Sequence, residues 1–174
     1  DDKRFTRENP VSGEVVTEAA AASPADAIAA VDAAAKAFPA WSATGPGERR
    51  AKLLAAAENL KVRADDIVAA MKDEIGATEG WARFNVMLAA DMLVEAGALT
   101  TQIKGEIVPS NRPGSTAFAI RQPAGVVLAM APWNAPVILG VRAIATPLAC
   151  GNTVVMKSSE LCPRVHACII EAVA

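Results

Sequence analysis

The sequence has no excess of either charge: 17 Lys and Arg stand against 19 Asp and Glu, a net of −2 over 174 residues. Without a basic surface there is no electrostatic footprint for nucleic acid or for an acidic membrane, and neither partner is expected. No run of about eighteen uninterrupted apolar residues occurs, so no membrane span is expected. The opening Asp1-Asp2-Lys3-Arg4 is not a basic region leading into an apolar one, and a secretory signal is not expected. Cysteines number only 3, an odd count that fits a reducing compartment and a cytoplasmic location. No internal repeat is present, which argues against a solenoid.

Histidine is nearly absent. His166 is the single one, so a Ser-His-Asp site within this chain has one possible base and no nucleophile motif beside it. Cys162, His166 and Cys168 lie close together, yet no C-x-x-C is present and no metal site is expected; ordinary helix packing accounts for them, with His166 on a helix face or at the surface. Neither G-x-G-x-x-G nor G-x-x-x-x-G-K-[ST] occurs. What is present is 52% hydrophobic and 21% charged residues, a globular composition that excludes wholesale disorder.

The first hundred residues read as helices. Ser23-Pro24-Ala25-Asp26 is an N-cap, a proline at the first helical position and a capping-box acid. Ile28, Val31, Ala35 and Phe38 form one stripe, and Pro39 ends that helix. Pro46 opens a second helix with Leu53, Leu54, Ala57 and Leu60 inward and the Glu48/Lys52 pair outward. A third runs from Ala64 to a left-handed cap at Gly76. Trp81, Phe84, Leu88 and Met92 stripe a fourth, a spacing that more often marks core than cofactor contact.

After Gly105 the pattern changes. Residues 107–109 and 116–120 read as short strands broken at Pro113-Gly114. Residues 125–130 form a continuous apolar run, the sign of a strand buried on both faces. A helix over 136–149, ended or kinked by Pro147, leads through Gly151-Asn152 to a second such strand at 153–156 and a helix from Pro163. This is a β-α-β-α unit with parallel strands, and the fold class is α/β. In open parallel sheets ligands collect beyond the carboxyl ends of the strands. Ala131-Pro132-Trp133-Asn134 and Lys157-Ser158-Ser159-Glu160 therefore share one edge, as candidate site residues or equally as loop residues and helix caps.

Three blocks carry a resemblance. Arg121-Gln-Pro123-Ala-Gly125-Val126 leading to Pro132-Trp133-Asn134-Ala-Pro136, then Gly151-Asn152-Thr-Val-Val-Met-Lys157-Ser-Ser159-Glu160, and earlier Asn9-Pro10-Val-Ser-Gly13-Glu14, resemble the signatures of the NAD(P)-dependent aldehyde dehydrogenase superfamily. Trp81-Ala-Arg-Phe84-Asn85-Val86 and Arg142 to Gly151 are most similar to its salicylaldehyde and vanillin dehydrogenase branch.

The resemblance implies an N-terminal helical part of a cofactor-binding domain over 1–105, oligomerisation strands over 106–122, and the first β-α-β-α unit of a Rossmann-like NAD-binding domain over 123–174. It implies NAD as cofactor and a homodimer or homotetramer when the chain is full length. Asn134 matches the oxyanion donor. Met130, Ala131, Pro132 and Trp133 match positions along the cofactor, and Lys157, Ser159 and Glu160 its ribose end. Ala135, Ile138, Leu139 and Arg142 fall on one helix face that matches the wall of the aldehyde tunnel, with Trp81 and Met87 opposite. A small residue at 135 leaves width for a flat ring, and Arg142 offers planar donors to a ring hydroxyl or carboxylate.

The match also has gaps. The family's nucleophilic cysteine, general-base glutamate and second glycine loop have no counterpart, its usual initial hairpin is missing, and Ala143 stands where many members carry lysine. The expectation is part of an enzyme that oxidises an aldehyde, aromatic in the first instance and aliphatic or a semialdehyde in the second, to its acid. A non-catalytic cofactor-binding or oligomerisation fragment is the alternative.

Overall fold

The computed structural model describes residues 3–174. Its first two elements are strands, β1 (Arg4–Glu8) and β2 (Val15–Ala20), paired antiparallel with Arg4 opposite Ala20. The described chain thus opens on a hairpin, which corrects both the helical reading of this segment and an opening without a hairpin. The Asn9-Pro10 motif builds the turn. Asn9 Oδ1 accepts from the backbone N–H of Val11 (2.8 Å) and Ser12 (3.2 Å), and Asn9 N–H donates to Glu14 O (2.8 Å).

Four helices follow: α1 (Pro24–Ala43), α2 (Pro46–Val62), α3 (Ala64–Ile75) and α4 (Glu79–Leu99). The capping box forms as expected, with Asp26 accepting from Ser23 N–H (2.8 Å) and Ser23 Oγ from Asp26 N–H (3.3 Å). That first contact holds the Asp26 carboxyl below its usual range. Pro39 does not end α1, which runs one more turn. Proline removes one helical hydrogen bond, and Trp41 ties the extra turn down by donating Nε1–H to Leu148 O (3.2 Å). The stripe on α1 is not core either: the helix has no fully buried residue, and Ile28 is 64% exposed.

Gly76 caps α3 at φ +64°, where a side chain is strained, and a Cβ there would press on the Pro10 ring at 3.2 Å. On α4 the inward face is Ala82, Asn85, Val86, Ala89, Ala90, Leu93 and Ala96, not the Trp81–Met92 stripe. Small residues let α2 and α5 approach this helix closely, so the large side chains are displaced to its flank.

Strands β3 (Glu106–Val108) and β4 (Ala117–Ala119) pair antiparallel in a second hairpin. Then come β5 (Val126–Met130), α5 (Pro136–Ala149), β6 (Thr153–Lys157) and α6 (Pro163–Val173). β5 and β6 are parallel, with Met130 opposite Lys157. Pro147 lies inside the last turn of α5 without ending it. The inner helices α2, α4, α5 and α6 share a core that includes Leu60, Leu93, Val137, Val141, Ile144 and Ile169. At Gly140 a Cβ would lie 2.9 Å from Ile169 Cδ1 and 3.1 Å from Met156 Cε, so glycine sets how closely α5 lies on α6 and β6.

The expectation that β5 is buried on both faces fails. Ala129 is buried, but Leu128 and Met130 are 61% and 69% exposed. Among the described residues one face of this strand has no layer upon it. No described helix is long and apolar enough to cross a membrane.

Candidate active site

The register of β5 and β6 brings the two predicted segments together. Met130 and Lys157 are direct partners, and Ala131 N–H donates to Lys157 O (3.3 Å) just beyond the strands. Polar residues leaving both strands thus emerge side by side, as the open-sheet rule requires. Asn134 is exposed in the loop before α5, and its side-chain amide makes no hydrogen bond among the described residues. Its backbone carbonyl accepts from Trp81 Nε1–H at 3.3 Å. Lys157 Nζ and Glu160 Oε2 form an exposed ion pair at 3.2 Å. The Glu160 carboxyl is held below its usual range, first by its own backbone N–H and then by Lys157.

Not every predicted residue faces this opening. Met130, Pro132 and Trp133 are exposed, while Ala131 is 7% exposed and presents chiefly backbone. Ser159 is buried, and its hydroxyl accepts from Leu161 N–H (3.2 Å), so it shapes the loop from within. Ile138 is 5% exposed, packed beneath the helix face that carries Ala135 and Arg142. Arg142 is exposed and makes no hydrogen bond or ion pair among the described residues. Trp81 and Met87 are exposed on α4, which packs on α5, and Trp81 stacks on Phe84 with centroids 5.7 Å apart. A separate apolar cavity of about 560 Å³, lined by Trp41, Leu53, Ile144 and Leu148, contains none of these residues.

The structural roles of three residues escaped the sequence reading. Asn152 Oδ1 accepts from Ala124 and Gly125 N–H (2.6 and 3.0 Å) and so fixes the start of β5 against β6; its signal was a polar residue just before an apolar strand. Glu74 lies fully buried and accepts from Arg164 and Val165 N–H (2.9 and 3.1 Å), capping α6 from another helix. An acid at i+7 on the Ile67/Met71 stripe was the signal. His166 was expected on a helix face or at the surface, but it is 1% exposed, and its Nδ1 accepts from Ser159 N–H (3.0 Å). It anchors the Lys157–Glu160 loop to α6.

Burial pushes the His166 pKa from 6.5 down to about 4. The folded chain therefore binds fewer protons than the unfolded one between those values. Stability is complete above about pH 6.5 and falls as pH drops through the window, by up to about 3 kcal/mol. His166→Gln keeps an acceptor for Ser159 and is expected to flatten this slope. Thermal unfolding of both proteins from pH 7 to pH 4 checks it, and identical slopes would exclude His166 as the source. Burial also pushes the Cys162 thiol up to about 12, which rules it out as a thiolate nucleophile near neutral pH.

The aldehyde dehydrogenase family model matches residues 1–174. The chain belongs to the aldehyde dehydrogenase family. It is 61% identical over 169 residues to the vanillin dehydrogenase of Pseudomonas sp. strain HR199, covering 97% of this chain and 35% of that protein. The crystal structure of a salicylaldehyde dehydrogenase from Pseudomonas putida G7, complexed with salicylaldehyde, superposes with a TM-score of 0.96 at 44% identity. That match covers 98% of this chain and 35% of the other. An NAD-dependent benzaldehyde dehydrogenase from Corynebacterium glutamicum superposes at 0.93 with 35% identity, covering 99% of this chain and 39% of its own. The chain spans about a third of the length of these relatives. The family assignment and the α/β fold with its parallel strands agree with the sequence reading.

Proposed function

We propose that this chain is part of an NAD-dependent dehydrogenase that oxidises an aromatic aldehyde to its carboxylic acid. The observation that carries the reading is that the segments bearing Asn134 and the Lys157–Glu160 pair leave two parallel strands at the same edge, in a chain similar to vanillin and salicylaldehyde dehydrogenases.

The residues present suit a dinucleotide. Lys157 donates and Glu160 accepts, which matches the two hydroxyls of a ribose; a carboxylate there also repels a 2′-phosphate and favours NAD. Met130 to Trp133 would lie along the dinucleotide between that ribose and Asn134. A bound nicotinamide supplies the hydride acceptor. Asn134 offers a neutral N–H donor to the oxygen that gains charge when a thiolate attacks the carbonyl. The attacking cysteine and the glutamate that activates water for hydrolysis belong to the remaining two thirds of the family's length.

The substrate wall follows from α4 and α5. Ala135 leaves width beside the reacting carbon, Trp81 and Met87 supply apolar contact, and Ile138 supports the face from beneath. Arg142, with no partner in the described chain, is free to meet a ring hydroxyl, phenolate or carboxylate. The β3–β4 hairpin leaves Ile107, Phe118 and Ile120 at least 66% exposed, which suits an oligomer seam across 106–122 between the helical part (1–105) and the sheet unit (123–174). A cytoplasmic dimer or tetramer accommodates all of this.

The test uses the full-length protein. Wild type is expected to prefer NAD over NADP and to turn over salicylaldehyde, vanillin and benzaldehyde better than hexanal by kcat/KM. Arg142→Ala is expected to hurt the two hydroxylated aldehydes more than benzaldehyde, by roughly tenfold, the scale of one charge-assisted hydrogen bond. Hexanal as the best substrate ends the aromatic reading. Equal losses on all four make Arg142 a structural residue.

A further inference from the structure

We infer that Trp81 is a positioning residue for Asn134, acting through its indole N–H; the inference rests on the oxyanion role proposed above for that asparagine. The loop from Ala131 to Ala135 is lightly held. Ala131 N–H is tied to Lys157 O, and Leu139 N–H reaches back to Ala135 O as α5 begins. Between these anchors Pro132 has no N–H, and α5 has no side-chain cap, its N-cap Ala135 being non-helical at φ −140°, ψ 64°. Among the described residues, one side-chain hydrogen bond reaches this loop: Trp81 Nε1–H to Asn134 O, 3.3 Å across 53 residues of chain.

Trp81 is itself fixed at three points. Thr78 Oγ1 accepts from its backbone N–H (3.4 Å), and Asn85 Nδ2 donates to its carbonyl (3.0 Å) from a fully buried position. Its ring stacks on Phe84 with planes 24° apart. An indole has a single polar atom, a donor, and here it is aimed at a backbone acceptor. Holding the Asn134 carbonyl fixes the peptide plane that follows Asn134, so its Cα–Cβ bond can turn only about the Cα–C axis. A neutral oxyanion donor works only as far as it is preorganised, within about 0.5 Å of the productive position.

Trp81→Phe removes the N–H and keeps an aromatic ring for Phe84. In the full-length enzyme it is expected to lower kcat by roughly tenfold, within the range that misplacing a catalytic group produces. The loss in kcat should be equal for vanillin and hexanal, with the KM for hexanal, which has no ring to meet the indole, within about twofold and NAD binding unchanged. Trp81→Phe added to Asn134→Ala should lower kcat no further than Asn134→Ala alone, since both act through one amide. Hydrogen exchange supplies a readout apart from turnover: the backbone amides of Asn134 and Ala135 are expected to exchange faster in Trp81→Phe. Should phenylalanine at 81 prevent folding, Trp81→His, which keeps an N–H, is expected to retain more kcat than Trp81→Ala.

Several results overturn the assignment. They are unchanged kcat with unchanged exchange, a kcat loss confined to aromatic aldehydes, multiplicative effects in the double variant, or equal losses in Trp81→His and Trp81→Ala. A near-normal Asn134→Ala overturns the oxyanion role and this inference with it. A crippled Asn134→Ala beside a normal Trp81→Phe overturns the positioning role alone.

Discussion

Asn134→Ala in the full-length protein is expected to lower kcat by roughly 100- to 1000-fold and to leave NAD affinity within about twofold, because deleting one oxyanion donor typically costs about 2.7–4 kcal/mol. The side-chain amide is exposed at the sheet edge and free of other hydrogen bonds among the described residues. No hydrogen bond within the described chain therefore has to break before it donates. The planar aldehyde carries little negative charge on its oxygen, so the interaction is strongest in the transition state and acts on kcat more than on KM. The pair that suits the ribose, Lys157 and Glu160, is joined by its own ion pair and does not depend on Asn134. Steady-state kinetics beside an NAD titration check both halves. A variant with near-normal kcat removes Asn134 from the catalytic list.

Glu74→Ala is expected to destabilise the fold by about 3 kcal/mol, the largest effect predicted away from the site. Two backbone donors at the start of α6 lose their acceptor inside the protein, and each buried donor left unpaired costs about 1–3 kcal/mol. The hairpin is held at the same junction independently of this side chain: Arg7 Nε–H, on β1, donates to the backbone carbonyls of Glu74 (2.9 Å) and Leu161 (3.1 Å), bonds that the Ala variant keeps. Burial raises the Glu74 pKa, with the Arg164 and Val165 amides offsetting part of the rise. A carboxyl raised on folding makes the folded chain bind more protons just above pH 4.5. Its share of stability therefore falls as pH rises toward the folded value, opposite in sign to His166. Thermal unfolding of Glu74→Ala and Glu74→Gln in the intact protein checks this. Glu74→Gln keeps one acceptor oxygen and should lose less, and an Ala variant as stable as wild type would remove the cap from the account.

The sequence by itself determined whatever is settled within a few residues. The Ser23–Asp26 box, the left-handed Gly76, the Pro113-Gly114 break and the boundaries of the β-α-β-α unit all depend on local backbone chemistry, and each is found where it was read. The family blocks are similarly local, which is why the two loops of the site could be named before their strands were seen to pair. Tertiary structure alone decided which faces meet. Val15 to Ala20 is an alanine-ended segment that helix propensity cannot separate from strand; pairing with Arg4–Glu8 decides it. The stripe on α4 has helical spacing whether it faces core or solvent, and the small-residue face beside it wins because it admits α2 and α5. Glu74 reaches α6 across 90 residues, and Trp81 reaches Asn134 across 53. No periodicity encodes such contacts, because they exist only once separate elements have packed and brought a buried donor within reach of its acceptor.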